Sequence, residues 1–163
     1  MHHARKHMHT VITQATLRDA AAIAKLTVAL TEEISKKMGA RHFSLDTMET
    51  TEVCADLLSN GEYSVLLASI NHEPIGFVGL SEGYALYAGG AIGTMQEFYV
   101  CPAFRSCEVG ASLINAAKAY AQKRAWKCME VCTPPLPEFD RSLRFYERNG
   151  FAITGGRKMK LIL

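Results

Sequence analysis

The stretch "YVCPAFRSCEVGAS", residues 99–112, passes from the apolar end of a strand into the start of a helix through a short turn. Arg105, Gly110 and Ala111 are residue types that let backbone N–H groups face an anion. A helix beginning near residues 108–109 offers unpaired N–H groups and the positive end of its dipole. Small residues in its first turn leave room for a diphosphate. Glu108 nevertheless sets a carboxylate inside that turn, and the same residues also suit a capped helix start with a surface arginine. Just upstream, "TMQEFYV" (94–100) departs from strict alternation. Met95 and Phe98 both have core character, and one extra residue near Glu97 returns them to one face. Such a bulge frees main-chain groups and re-aims side chains beside a ligand; a slightly imperfect strand without a role is the alternative.

Other chemistry is poorly encoded. No glycine loop is followed by G-K-[ST], and "GGAIG" (89–93) leads into a strand rather than a helix, which removes the usual nucleotide loops. The five cysteines include no C-x-x-C pair, so reduced thiols in a cytoplasmic setting fit best. Cys128 and Cys132 share one face of a strand pattern and are expected to be buried there. No ligand set for a metal is apparent. A net charge of +2 implies no general attraction to nucleic acid or membrane. No apolar run approaches the roughly 20 residues of a membrane span. Four histidines fall at positions 2, 3, 7 and 9, and residues 1–9 read as a flexible leader or an added tag.

The elements that must position the turn follow from periodicity. Residues 10–15 read as a strand, and Thr16 with Asp19 forms a capping box before a helix carrying Ile23, Leu26, Leu30 and Ile34. "SKKMGARHF" (35–43) is a polar break, and a second helix ends at Asn60-Gly61. Strands at 63–70 and 74–88 form a hairpin, and "GGAIG" connects to the strand at 94–100. A helix over 108–124, a strand over 126–133, a helix over 138–149 and a hairpin about Gly155-Gly156 complete the chain. The expected fold is α/β (α+β), one domain over residues 10–163. Its mixed, mostly antiparallel sheet of six to seven strands is flanked by about four helices on both faces.

Three motifs in this order resemble the GNAT family of N-acetyltransferases. They are a strand ending V-x-P (Val100, Pro102), R-x-x-x-x-G-A opening a helix (Arg105, Gly110, Ala111), and Y-x-x-x-G-F (Tyr146, Gly150, Phe151). The motifs cover about residues 90–155, while residues 10–90 match in element order only. The resemblance implies acetyl-CoA as co-substrate and no metal. The diphosphate would lie on the turn of Arg105, Ser106, Cys107, Glu108, Val109, Gly110 and Ala111. The pantetheine would lie along Phe98, Tyr99 and Val100, near Ser142, in a slot where the strands at 94–100 and 126–133 splay apart. The family's first glycine is replaced by Glu108, which predicts weaker binding, and its Asn and Ala near the last helix are replaced by Phe139 and Ser142.

The reaction so implied is direct attack by an amine on the thioester. Glu97 would be the base, Tyr146 the acid toward the departing thiol, Gln96 a group orienting the amine, and the Phe98 N–H an oxyanion donor. Phe43, Glu82, Tyr84 and Tyr87 are the candidates for the acceptor pocket. The expected acceptor is a small-molecule primary amine, with a protein N-terminus or lysine as a variant. A non-catalytic acyl-CoA-binding sensor or interaction domain is the alternative. A homodimer is a further implication of the resemblance.

Overall fold

The computed structural model describes residues 9–39 and 44–163. Phe43 and the histidines at 2, 3 and 7 fall outside these residues. Strand β1 (Thr10–Gln14) leads into a 3-10 turn closed by the Asp19 carboxylate, which accepts from the Thr16 N–H at 2.8 Å. Helix α1 (Ala20–Met38) grows from that turn and runs four residues into the stretch expected to be a break. Helix α2 (Thr47–Ser59) is capped by Asp46, whose carboxylate accepts from the Glu49 N–H at 2.9 Å. There follow β2 (Tyr63–Ile70), β3 (Glu73–Ala85), β4 (Gly90–Val100), α3 (Val109–Lys123), β5 (Met129–Val131) and α4 (Asp140–Arg148).

The five strands lie in the order β1-β2-β3-β4-β5, antiparallel except for the last pair. Alternation divides their side chains between two cores. Val65, Leu67, Phe77 and Tyr99 meet Ile23 and Leu26 of α1 and Cys54 of α2. Leu66, Val78, Leu80 and Met95 meet Val109, Leu113 and Ile114 of α3 and Tyr146 of α4. The mixed α/β class, with helices on both faces, is as the pattern demanded.

Three expectations are corrected. The sheet has five strands among the described residues, since residues 151–163 form no strand and are almost wholly exposed. "GGAIG" is not a connection: Gly90 already opens β4, and Gly93 lies within it beneath the Trp126 ring, where a Cβ would overlap the indole. Cys128 and Cys132 are exposed; Met129 and Val131 of β5 pack on the core instead. The period was right and the buried face was the other one.

The bulge is where the alternation required it. Gly79 of β3 faces Glu97 and Leu80 faces Met95, leaving Gln96 as the extra residue. Met95, Phe98 and Val100 consequently share the α3–α4 face, while Tyr99 packs on the α1–α2 side. The parallel ladder of β4 with β5 is short: Gly93, Thr94 and Met95 face Met129, Glu130 and Val131. It stops at the bulge. Beyond it, residues 96–100 of β4 have no strand on that edge among the described residues, which is the splay expected of the sheet's centre. No helix among the described residues is long and apolar enough to cross a membrane.

Candidate active site

Where β4 and β5 part, a groove of about 490 Å³ opens between α1, the turn before α3, and α4. Its floor is β4 from Phe98 to Val100, and its far wall carries Ser142, Phe145 and Tyr146 of α4. The turn at 105–111 forms its rim. Ser106 and Glu108 both adopt the left-handed conformation, each with φ 63°. Left-handed residues within a tight turn curl the chain so that successive N–H groups face one concave side, the geometry of an anion nest. Helix α3 makes its first intrahelical bond from the Ser112 N–H to the Glu108 carbonyl at 2.9 Å. The amides of Val109, Gly110 and Ala111 precede that bond and have no carbonyl within the helix to reach. The residues present therefore fit a diphosphate by main-chain donors.

Gly110 has a second reason to be glycine. A Cβ there would stand 3.1 Å from the Phe145 ring and 3.5 Å from Phe98. These two aromatics stack at 5.4 Å between centroids behind the turn.

Arg105 is placed differently from a free phosphate ligand. Its two terminal nitrogens each lie 2.7 Å from a Glu33 carboxylate oxygen, and its Nε donates to the Val100 carbonyl at 2.8 Å. The guanidinium also lies 5.4 Å from the centre of the Tyr99 ring. The hydrogen bond from Arg105 holds the Glu33 carboxyl below its usual range. The arginine thus ties the turn to β4 and α1, with its charge largely matched by Glu33. Ser106, Glu108, Gly110 and Ala111 line the groove; Cys107 is exposed, and Val109 points into the core.

Glu108 is strained as well as anionic. The left-handed region costs an L-residue about 1–2 kcal/mol, and glycine escapes that cost. Glu108→Gly is expected to raise unfolding stability by about 1 kcal/mol. Removing a repulsion of roughly 1 kcal/mol should also tighten CoA binding about fivefold. Thermal denaturation and calorimetric titration check the two effects separately.

Glu97 projects to the opposite face of β4. Its carboxylate accepts a hydrogen bond from the Tyr63 hydroxyl of β2, close to Cys54 of α2. Burial pushes the Glu97 carboxyl above the ordinary glutamate range, and the Tyr63 bond opposes that shift. Burial, reinforced by the Glu97 charge, pushes the Tyr63 hydroxyl up, so it remains a donor. On the groove side Tyr146 is buried among Phe98, Phe145 and Phe151, and burial pushes its hydroxyl up to about 12.

The remaining candidates among the described residues lie away from the groove. Glu82 accepts from Trp126 Nε1 at 2.6 Å and from Arg124 at 2.8 Å, and these bonds hold its carboxyl low. The exposed Tyr84 donates to Glu82 at 3.0 Å, and Tyr87 donates to Glu130. Gln96 turns outward to Ser81 at 2.8 Å. Phe43 falls outside the described residues. Four groove residues missed in the sequence, Leu30, Glu33, Ile34 and Lys37, sit on α1 at the spacing of one helical face. That stripe was legible. Arg141 and Arg148 on α4 add positive charge to the wall, and Tyr63 has no motif at all.

Comparison with known proteins decides the family. The profile of the acetyltransferase (GNAT) domain matches residues 61–153. The uncharacterized N-acetyltransferase YhfO of Bacillus subtilis (strain 168) is 33% identical over 143 residues, covering 86% of this chain and 88% of its own. The chain belongs to the GNAT acetyltransferase family. A putative acetyltransferase from Arthrobacter sp. FB24 superposes with TM-score 0.72 at 26% identity, over 94% of this chain and 92% of that one. The aminoglycoside N-acetyltransferase AAC(6')-Iy, solved with CoA, shares the fold with TM-score 0.79 at 17% identity, over 98% of both chains. As a GNAT protein the chain is an acetyl-CoA-dependent N-acetyltransferase. The profile spans the bulged strand, the turn, α3, β5 and α4, and so includes the floor, rim and far wall of the groove, while the α1 wall lies before it.

Proposed function

We propose that the chain acetylates a primary amine of a small molecule, with Glu97 and Tyr146 acting from opposite faces of β4. One observation carries the reading: the β4–β5 ladder stops at Met95 and Val131, beside the bulge that turns Glu97 to one face and Phe98 to the other. Bound acetyl-CoA supplies an activated acyl group as a thioester. The amides of residues 106–111 hold the diphosphate, and the free edge of β4 at Phe98 and Val100 holds the pantetheine as an added strand would. The acceptor approaches from the α1–α2 side, where Glu97 is the acidic group on β4.

An amine of pKa about 10 arrives protonated at neutral pH. Glu97 takes its proton, directly or through water, and the raised affinity of this buried carboxylate for protons suits it to that task. The bulge sets the Phe98 N–H beside the slot, where it stabilises the oxygen that gains charge. Tyr146 keeps its proton at neutral pH and donates it toward the leaving sulfur. A thiol of pKa about 8.5 leaves readily, so Tyr146→Phe is expected to lower kcat only about 10-fold, below the usual range for an acid catalyst. The dissociation constant of CoA should stay put; a change larger than twofold would make Tyr146 a binding residue instead.

A second reading, binding without catalysis, draws on the Glu33 and Glu108 carboxylates at the groove. The deciding experiment follows thiol release from acetyl-CoA with a panel of small amines and with peptides, beside a thermal shift with CoA alone. Release with small amines and not with peptides is the expected result. Release with peptides alone would move the acceptor to proteins, and a thermal shift without release would make the chain a sensor.

A further inference from the structure

The face of the sheet that carries Glu97 carries a second carboxylate. Gly79 of β3 marks this face, since an added Cβ would meet the Tyr63 hydroxyl and a Glu97 oxygen. Ser81 lies two positions on and shares it. It stands opposite Thr94 of β4, and Gln96 donates from Nε2 to its hydroxyl at 2.8 Å. Thr94 in turn pairs with Glu130 of β5. Paired residues point to one side of a sheet, and Met129 and Val131, which flank Glu130, pack on the opposite core. Glu130 therefore projects on the same side as Glu97.

Register gives the span between them. Glu97 faces Gly79 and Thr94 faces Ser81, two steps along β3, and Glu130 is one strand further over. Strand rise and strand spacing put the two glutamate backbones on the order of 8 Å apart. The ground between them is neutral and open: Ser81 and Thr94 are half-buried, and Gln96 is exposed.

The charge of Glu130 is free to meet a ligand. Its side chain is exposed and makes no ion pair among the described residues. The Tyr87 hydroxyl donates to it at 3.0 Å, which folds that tyrosine back from the β3–β4 turn and aims the carboxylate without neutralising it. The exposed Tyr87 ring thus stands beside an anion. Glu82 is on the opposite face, where Arg124 and Trp126 hold it, and Glu73 stands at the far end of β3 opposite Ile70. Lys127 lies farther out, beside Gly90 at the turn.

We propose that Glu130 is a second cation-binding site for the acceptor, and that the acceptor is a diamine. Its reacting nitrogen meets Glu97, and its other ammonium is held by the Glu130 carboxylate beside the Tyr87 ring. An ammonium so placed gains from both the anion and the ring face. A carboxylate at that end of the acceptor is repelled. The inference narrows the acceptor of the reading above and rests on Glu97 taking the proton of the reacting amine.

The test uses the full chain with acetyl-CoA and a series of acceptors of one length: 1-aminobutane, 4-aminobutan-1-ol, 4-aminobutanoate and 1,4-diaminobutane. Thiol release is expected to give the diamine a kcat/KM about tenfold above the alcohol, beyond the statistical factor of its two equivalent amines. In Glu130→Gln the diamine-to-alcohol ratio should fall about tenfold, through KM. In Glu130→Lys, 4-aminobutanoate should overtake the diamine. Amide resonances of Thr94 and Glu130 in the ¹⁵N-labelled CoA complex, followed while 1,4-diaminobutane is added, read binding without turnover. Shifts there without thiol release would strike the transferase reading and keep the diamine site. Release with no preference for the diamine, a ratio unchanged in Glu130→Gln, or amides unmoved by the diamine would each overturn the site.

Discussion

Glu97→Gln is expected to lower kcat about 100-fold while leaving the CoA dissociation constant unchanged. Glutamine keeps the size of the side chain and offers an oxygen to the Tyr63 hydroxyl, so the packing of β2 against β4 survives. What it loses is the ability to take a proton. Glu97 is not part of the groove lining, so cofactor affinity serves as an internal check on folding. The parent's kcat/KM should fall as pH drops through the Glu97 pKa, which burial has raised above the glutamate value of 4.5. Its acid limb therefore lies above the ordinary carboxylate range, and in Glu97→Gln that limb should vanish. A variant within threefold of the parent would take Glu97 out of the reaction.

Gly79→Ala should be nearly as damaging although residue 79 touches no ligand. A Cβ on Gly79 would overlap the Tyr63 hydroxyl and stand 2.6 Å from a Glu97 carboxylate oxygen. Tyr63 must swing away, and Glu97 loses the donor that holds it in place. A hydrogen bond to a charged group is worth about 1.5–3 kcal/mol, so kcat should drop about 10- to 100-fold. Overpacking adds a stability loss of about 1–3 kcal/mol. The sign of the pH effect separates this from mere unfolding. The Tyr63 bond lowers the Glu97 pKa, so its loss moves the acid limb to higher pH. Gly83→Ala, in the same strand with nothing within 4 Å of its Cβ, is the control and should be close to neutral. An unshifted acid limb in Gly79→Ala would mean that Tyr63 does not hold Glu97.

These two predictions rest on a contact the sequence does not display. Tyr63 and Glu97 lie 34 positions apart and meet because β2, β3 and β4 are neighbours; only Gly79 amid "GFVGL" hints that something large must fit there. The Arg105–Glu33 pair, 72 positions apart, is equally silent. Local geometry was far more legible. The turn could be read because amide donors, small residues and a helix start are encoded within a dozen letters. The bulge could be read because one surplus residue disturbs alternation. The hairpin expected at 151–163 failed for a physical reason: alternation and a Gly-Gly turn specify a strand but not the sheet it joins. Cys128 and Cys132 failed likewise, since period 2 fixes two faces without saying which is wet. Nor does the sequence display the bonds from Trp126 and Arg124 that hold Glu82, which lie 44 and 42 positions away.

The central claim is that main-chain amides at the turn before α3 grip the linked phosphates of the cofactor, despite the Glu108 carboxylate. Amide resonances of the ¹⁵N-labelled protein, followed while CoA is added to saturation, test it most directly. The largest shifts are predicted at Ser106, Cys107, Glu108, Val109, Gly110 and Ala111, with smaller ones at Phe98 and Val100. Saturation that leaves these amides unmoved while others respond would contradict the account.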